Sequence, residues 1–301
     1  MSSSNRATKI NKIQRVIKKH YKAVSPPDRP ILEHLLYACC LENAAPEQAD
    51  EAFAKLQKPH FFDWNEVRVT TIAELAEVMS MLPDPKEAAN RVRRSLQSLF
   101  EAHYSFDLDF FRKQGLGKSV QQLSGLDGVT PFVVAYVTQR GLAGHAIPVN
   151  RGALEIMRLL EVISDNEALK YKVPGLERTI AKTKGAEFGS LLQQLGADYH
   201  NTPHSPRVRN ILIEIDASVK DRLPKRKKPA EKPAKKAAKK TPEKKTANKE
   251  AEKPAKKTAK KAAKKPAKKA AKAKPSPTKK KATKKAAKRS ATKKLAKKKP
   301  R

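Results

Sequence analysis

The chain has 301 residues, with 66 Lys and Arg against 30 Asp and Glu and a formal net charge of +36 at pH 7. This charge is concentrated in residues 225–301, which hold 36 of the basic and 4 of the acidic residues and therefore carry +32. No run of about 18 apolar residues occurs, and the N-terminus lacks the apolar stretch of a secretory signal. These features exclude a membrane partner and favour a soluble intracellular protein.

Residues 1–224 contain nearly all of the large apolar side chains, enough for one or two small domains with a buried core, and the folded body is expected at residues 30–224. Residues 1–29 are Ser-rich and then basic, and we expect them to form a separate basic segment. In the body, apolar residues recur at helical spacing, and Thr71 with Glu74 has the pattern of a capping box. The main predicted helices are 31–41, 46–56, 71–79, 85–104, 133–140, 150–162, 176–183 and 187–195.

A strand is suggested only at residues 210–215, which are rich in Ile. Elsewhere no segment shows sustained alternation of apolar and polar residues between turn signals. The sequence therefore predicts an all-α body of about ten helices that ends near Pro224, followed by a basic tail.

Cysteine and histidine positions give no metal site. Cys39 and Cys40 are adjacent within an apolar helix, which indicates buried core thiols and not a disulfide framework or a metal site. His200 and His204 have the i, i+4 spacing of a helical metal pair. Because Pro203 lies between them, we expect a loop there and no metal binding.

A tight turn between two helices is the most informative local pattern. A short helix ends near Leu123, residues 126–129 form the turn, and a second apolar helix follows with Pro131 at its first position. This is a helix-hairpin-helix pattern, which directs backbone N–H groups toward a DNA phosphate. The residues predicted to contact the DNA backbone are Gly125, Gly128, Thr130, Arg140 and Arg151. For the two arginines, an ordinary solvated surface position is the alternative.

Together with its flanks, this hairpin resembles the endonuclease III branch of the helix-hairpin-helix DNA glycosylase superfamily. Residues 63–68 (Asp-Trp-Asn-Glu-Val-Arg), followed by the helix 71–79, are similar to a stretch between early helices of that family. Residues 147–150, followed by 152–158, are similar to the loop and helix that hold its catalytic aspartate. The resemblance runs from about residue 31 to residue 216 and implies a glycosylase-like helical fold and a role in base excision repair.

The family's catalytic groups are replaced in this chain. Asn150 stands where the family has its catalytic aspartate, and an amide neither stabilises a cationic sugar nor activates a nucleophile. Phe132 stands at the position of the imine-forming lysine of bifunctional members. Residues 195–209, which match the iron-sulfur region, contain no cysteine, so no iron-sulfur cluster or other cofactor is expected. The remaining carboxylates, Asp127 and Asp198, are interpreted as turn or cap residues.

The tail, residues 225–301, consists mainly of Lys, Ala, Pro, Thr and Ser, with near-repeats at 232–240 and 253–261. It lacks the apolar residues needed to offset chain entropy, so we predict that it is disordered. Its composition and the Ser-Pro-Thr-Lys at 276–279 resemble the C-terminal domain of linker histones. Such a tail binds phosphates in a salt-sensitive, sequence-independent way. Representative phosphate-binding lysines are Lys256, Lys257, Lys264 and Lys265.

These observations predict a noncatalytic, largely nonspecific binder of double-stranded DNA, with RNA as a second candidate partner. Its expected location is the cytoplasm, at the nucleoid, or the nucleus of a eukaryote. Two alternatives remain open: an active glycosylase of the endonuclease III type with a rearranged site, and a scaffold that compacts nucleic acid through its tail. No oligomeric state is predicted.

Overall fold

A computed structural model describes residues 3–57, 61 and 63–224, and within these residues all regular structure is helical. The all-α prediction is confirmed for this part of the chain. The helices are α1 Ser3–His20, α2 Ile31–Leu41, α3 Pro46–Lys55, α4 Trp64–Val69, α5 Ile72–Val78, α6 Pro85–His103, α7 Phe110–Lys113, α8 Leu116–Ser124, α9 Pro131–Arg140, α10 Arg151–Leu159, α11 Asp165–Leu169, α12 Leu176–Thr179, α13 Lys182–Asn201 and α14 Pro206–Ile215, followed by a 3₁₀ turn at Ala217–Asp221.

The tail predictions, including disorder and the four representative lysines, fall on residues 225–301, which lie outside the described residues. No helix of the described residues is long and apolar enough to cross a membrane.

The helices form two lobes, each with its own apolar core. The first lobe contains α2 to α9, and its core includes Leu36, Leu96 and Val133. The second lobe contains α10 to α14 and also α1, which packs against α12, α13 and α14. Two connections join the lobes, residues 21–30 between α1 and α2 and residues 141–150 between α9 and α10.

The second lobe corrects the prediction that residues 1–29 are a separate basic segment. Residues 3–20 are helical, and Ile10, Ile13 and Ile17 are fully buried in the second core. Their i, i+3, i+7 spacing is that of one helix face. The Lys and Arg residues between them occupy the other faces, so the average composition concealed the amphipathic pattern.

Helix boundaries in the second lobe also differ from the prediction. Residues 210–215 belong to α14 and form no strand, because Pro206 at the first helical position starts a helix that buries Ile211 and Ile215 on one face. His200 is likewise helical, since α13 continues to Asn201 before the chain turns at Pro203. The segment 195–209 is therefore the end of one helix and the start of the next.

Several local predictions are confirmed. Thr71 and Glu74 form the capping box: Glu74 N–H donates to Thr71 Oγ1 at 3.3 Å, and Thr71 N–H donates to Glu74 Oε2 at 3.1 Å. Cys39 and Cys40 are buried free thiols in α2. Burial raises the pKa of the Cys39 thiol to about 12, so it remains protonated and unreactive at neutral pH.

Candidate nucleic-acid interface

Two helices joined by a tight turn, α8 and α9, form the predicted hairpin, and Gly128 is the residue that makes its turn possible. Gly128 has a φ of +81°, a conformation that side chains other than glycine rarely adopt. A Cβ at this position would lie 2.8 Å from Arg94 Cβ and 2.8 Å from Ser95 N, both in α6. Glycine thus permits the close approach of the turn to α6.

Asp127 fastens the same turn to α6. Its N–H donates to Ser98 Oγ at 3.0 Å. Its carboxylate accepts from Arg94 Nε at 2.8 Å and from Arg94 Nη2 at 2.6 Å, a bidentate pair on the surface. The prediction of a turn residue at Asp127 is confirmed. Sequence reasoning missed Arg94 and Ser98, although their i, i+4 spacing on one face of α6 was a readable signal.

Free backbone donors lie at the start of α9. Within the described residues, the N–H groups of Gly128 and Thr130 donate to no other residue. The Thr130 side chain is occupied, since its hydroxyl accepts from Val133 N–H at 3.3 Å and donates to Glu42 Oε2 at 3.0 Å. The Gly125 N–H is also occupied, by the carbonyls of α8. An anion here would therefore meet backbone groups at the positive end of a helix.

Asn150 is fully buried and caps α10. Its Oδ1 accepts from Ala153 N–H at 3.0 Å. Its Nδ2 donates to the carbonyl oxygens of Glu42 at 2.8 Å and Gln193 at 3.0 Å. Every strong hydrogen-bonding group of this amide is directed at a backbone partner, so the side chain is a structural connector between the lobes.

Asn150 belongs to a group of amides that hold the end of α2. The four carbonyls of residues 41–44 follow the last turn of that helix, where backbone acceptors lack helical partners. Gln193 Nε2 donates to the first and the last of them, at 2.7 and 2.8 Å. Asn201 Nδ2 donates to the third at 2.9 Å, and Asn150 donates to the second. Side chains of the second lobe thus satisfy all four carbonyls.

A cleft separates α9 of the first lobe from α13 of the second, and Phe132 fills its α9 side. It is 1% exposed and stacks at 6.3 Å, centroid to centroid, with Tyr136 one turn later in α9. Both aromatic rings line a cavity of about 20 Å³ together with Gln193 of α13 and Pro148. A cavity of roughly 150 Å³ is needed to hold a ring the size of benzene, so the cleft has no space for a nucleobase.

The remaining predicted DNA contacts and carboxylates lie in different environments. Arg151 is exposed at the start of α10, with Glu155 at 3.9 Å. Arg140 is half-buried and lines the cavity in the cleft, so it is not an ordinary solvated surface arginine. Asp198 lies within α13 and accepts from Tyr21 Oη at 2.7 Å. The turn or cap role predicted for Asp198 is wrong, because α13 extends three residues beyond it.

Glu42, which the sequence analysis did not single out, is a buried carboxyl beside the start of α9. Burial raises its pKa, against the opposing influence of Arg91 and of the Thr130 hydrogen bond. Arg91 Nε lies 3.5 Å from Glu42 Oε2, and both side chains are less than a tenth exposed. The carboxyl is therefore turned toward α6 and α9 and does not reach the cavity.

The residues present do not fit the family's iron-sulfur cluster. The whole chain has two cysteines, and both are buried in α2 in the first lobe. Within the described residues, no three His, Cys, Asp or Glu side chains are grouped as metal ligands. His200 Nε2 instead lies 3.4 Å from Asp84 Oδ2, at the N-terminus of α6.

A scan against protein-family models and a search of curated sequences found no match. Solved structures with a similar helix arrangement include two endonuclease III complexes with DNA. The trapped covalent intermediate is 12% identical, with a TM-score of 0.48 over 74% of this chain and all of that chain. The non-covalent complex is 11% identical, with a TM-score of 0.49 over 72% of this chain and 98% of that chain.

A thermostable thymine-DNA glycosylase is 15% identical, with a TM-score of 0.43 over 68% of this chain and 91% of that chain. At such identities the likeness concerns the fold alone, and statements about function depend on the residues of this chain.

Proposed function

We propose that this chain is a noncatalytic DNA-binding protein that grips the phosphate backbone with its hairpin and gains most of its affinity from its tail. The observation that carries the proposal is the +32 charge of residues 225–301. Each phosphate that a lysine neutralises releases condensed counterions, which favours strong and sequence-independent binding. The unoccupied N–H groups of Gly128 and Thr130 at the start of α9 supply a second, fixed contact.

The cleft supports the noncatalytic part of the proposal. Asn150 and Phe132 replace the two groups that the family uses for chemistry, and both are buried in packing contacts. The cavity beside Phe132 is about 20 Å³, too small for a base removed from the duplex. Glu42, a buried carboxyl near Asn150, is engaged by Arg91 and Thr130.

Duplex binding by the full chain, measured by fluorescence anisotropy at several salt concentrations, tests the two contacts. We expect a log–log salt slope of about −0.9 for each phosphate neutralised. Gly125→Glu places a negative charge on the exposed hairpin, where the nearest atom to a new Cβ is 3.5 Å away. This variant should weaken binding about fivefold through repulsion of the phosphate.

Gly117→Glu is the matched control. Gly117 is exposed in α8, about 12 Å along the helix from Gly125, and a new Cβ there meets no atom within 4 Å. The control should bind DNA like the wild type. Equal binding by both variants and the wild type would indicate a scaffold that uses its tail alone. Tighter binding to duplex RNA than to duplex DNA would reassign the partner.

A base-release assay tests the noncatalytic assignment. The full chain is incubated with duplexes that contain uracil, an oxidised pyrimidine or an abasic site, with endonuclease III as the positive control. We expect binding without base release or strand cleavage. Release of any of these bases by the wild-type chain would establish an active glycosylase and overturn this part of the proposal.

A further inference from the structure

A surface groove of the second lobe lies between α10 and the turn that follows α11. Its volume is about 450 Å³, within the range of sites that bind small molecules. Arg151, Leu154 and Arg158 line it from α10, where their i, i+3, i+7 spacing places them on one helix face. Leu169 and Tyr171 line it from the other side. We call this surface the α10–α11 groove.

The α10–α11 groove exposes large apolar side chains to water. Leu169 is 78% exposed and Tyr171 is 46% exposed, and they are two of the five large apolar side chains that are exposed among the described residues. Leu154, which is 4% exposed, continues this apolar surface into the second core. An exposed apolar surface that is rimmed by charged residues and shaped as a groove is typical of a binding site.

Tyr171 has a backbone conformation that normally belongs to glycine. Its φ is +51°, and it follows α11 in a Schellman motif. Tyr171 N–H donates to the Ala168 carbonyl at 3.0 Å, and Lys172 N–H donates to the Glu167 carbonyl at 3.0 Å. Glycine is the usual residue at this position of the motif, because a side chain is strained there. A tyrosine in its place costs stability, which indicates a use for its ring.

The charged rim of the groove supplies both hydrogen-bond donors and acceptors. Arg151 Nε lies 3.9 Å from Glu155 Oε1, and Arg158 Nη1 donates to Asp165 Oδ1 at 3.2 Å. All four side chains are at least 44% exposed. Ion pairs this exposed are weak, so a ligand can compete for either partner.

The start of α10 connects this groove to the proposed DNA interface. The Glu42 carboxylate accepts from the Thr130 hydroxyl at 3.0 Å, and the Glu42 carbonyl accepts from Asn150 Nδ2 at 2.8 Å. Thr130 and Asn150 are the N-caps of α9 and α10, so both helices begin beside one glutamate. A strand held at the hairpin donors can therefore pass the start of α10, where Arg151 lines the groove.

We propose that the α10–α11 groove binds an unpaired base of single-stranded DNA, with the base stacked on the Tyr171 ring and packed against Leu169. Every base has a π-face, so such stacking tolerates any sequence. The donors and acceptors of the rim match the edge of a base, which carries both. Arg151 and the exposed Lys170 and Lys172 supply positive charge for the adjoining phosphates.

This binding goes beyond the proposed duplex binding, because paired bases are stacked inside the duplex and do not reach the groove. The tail cannot supply it either. Residues 225–301 contain no aromatic residue, so the tail binds phosphates but offers no ring on which a base can stack.

Fluorescence anisotropy of the full chain with two single strands of equal charge tests the groove. One strand is a short oligothymidine, and the other keeps every phosphate but has an abasic residue in place of each thymidine. Because the phosphates are the same, the tail and the hairpin should bind both strands alike. We expect the wild type to bind the oligothymidine about fivefold more tightly, the effect of stacking one base.

Tyr171→Gly removes the ring from a position whose φ suits glycine, so the variant should remain folded. It should bind the two strands equally, whereas Tyr171→Phe keeps a ring and should retain the fivefold preference. Tyr104→Gly is the matched control. Tyr104 also has a positive φ, +50°, and is 81% exposed, but it lies at the end of α6 outside the groove, so its variant should keep the preference.

Duplex binding separates this proposal from the proposed function. Tyr171→Gly should bind a duplex like the wild type. Equal affinity of the wild type for the two single strands, or an unchanged preference in Tyr171→Gly, would overturn the groove proposal and leave duplex binding intact. Loss of the preference in Tyr104→Gly would also overturn it, since the base contact would not be confined to the groove. A wild-type chain that bound no duplex, yet preferred the oligothymidine, would overturn the proposed function alone.

Discussion

Helix α9 takes part in two regions that differ sharply. At its N-terminus the hairpin leaves the N–H groups of Gly128 and Thr130 without an acceptor in the described residues. On its inward face, Phe132 and Tyr136 fill the cleft against α13. The hairpin depends on backbone geometry and a glycine, whereas a nucleotide pocket depends on the identity of a few side chains. Side chains such as Phe132 and Tyr136 can therefore fill the cleft without altering the turn of the hairpin.

The largest effect should come from placing a lysine in the cleft at position 132. Phe132→Lys exchanges a fully buried ring for an ammonium group and should lower the free energy of unfolding by about 4 kcal/mol. Urea unfolding monitored by circular dichroism measures this loss. Phe132→Leu is the control and should cost about 1 kcal/mol, because it remains apolar and of similar size.

The same lysine variant tests whether the cleft is closed. We expect no borohydride-trapped cross-link between Phe132→Lys and a duplex that carries an abasic site, because the cavity of about 20 Å³ does not admit the sugar. A cross-link at a level above that of the wild type would show that the cleft opens to a nucleotide, and the contrast between the two regions of α9 would then fail.

The next effect concerns the hairpin. Gly128→Ala should lower the free energy of unfolding by about 3 kcal/mol, because alanine disfavours a positive φ and its Cβ would meet the backbone of α6. Gly125→Ala, three residues earlier, has an ordinary φ of −85° and room for a Cβ, so it should change stability by less than about 1 kcal/mol. Equal losses of unfolding free energy in Gly128→Ala and Gly125→Ala, measured by thermal unfolding, would contradict the role assigned to Gly128.

Asn150→Asp introduces the aspartate found in the glycosylases that the sequence resembles, but it should not introduce their chemistry. The aspartate can still accept from Ala153 N–H, yet it cannot donate to the carbonyls of Glu42 and Gln193. We expect a loss of about 2 to 3 kcal/mol at pH 7. Because protonation relieves the repulsion, the loss should shrink as the pH falls toward the ordinary carboxyl pKa of about 4.

Asn166→Asp is the control for this change, because Asn166 is exposed in the first turn of α11, where a negative charge is favourable. Its unfolding free energy should remain near that of the wild type at every pH. Base release by Asn150→Asp would show that position 150 faces a usable site, contrary to its burial.

Much of the contrast between the hairpin and the cleft could be predicted from the sequence, but the reason why the cleft is closed could not. The turn at Gly128, the start of α9 at Pro131 and the replacement at Asn150 were all read from local patterns. The closure of the cleft depends on Gln193 and on the carbonyls of residues 41–44, about 150 residues apart in the chain. A glutamine inside an apolar helix carries no local signal of its distant acceptor.

The missed α1 has a different physical reason. Its Ile10, Ile13 and Ile17 form a narrow apolar stripe among basic residues, and composition averages out such a stripe. The Ile-rich segment 210–215 is helical, in agreement with the all-α prediction, although its β-branched residues alone would favour a strand. The spacing of the three isoleucines, and not the composition of the segment, was the signal for α1.

The smallest effect concerns Glu42, which links the two regions through Thr130. Burial raises its pKa, so the folded state favours the neutral carboxyl, and stability from this group is present at low pH and lost as the pH rises above about 4. Glu42→Gln removes this titration and can still accept from the Thr130 hydroxyl. The stability of the wild type relative to this variant should therefore fall as the pH rises from 4 to 7.

Glu74→Gln provides a control of opposite sign. The hydrogen bonds from Thr71 lower the pKa of Glu74, so its contribution to stability is present above the ordinary carboxyl pKa and is lost as the pH falls. Relative to this variant, the wild type should gain stability as the pH rises. If thermal unfolding gave the same sign for both variants, Glu42 would be a favourable ion pair with Arg91, and the start of α9 would be held by charge and not by burial.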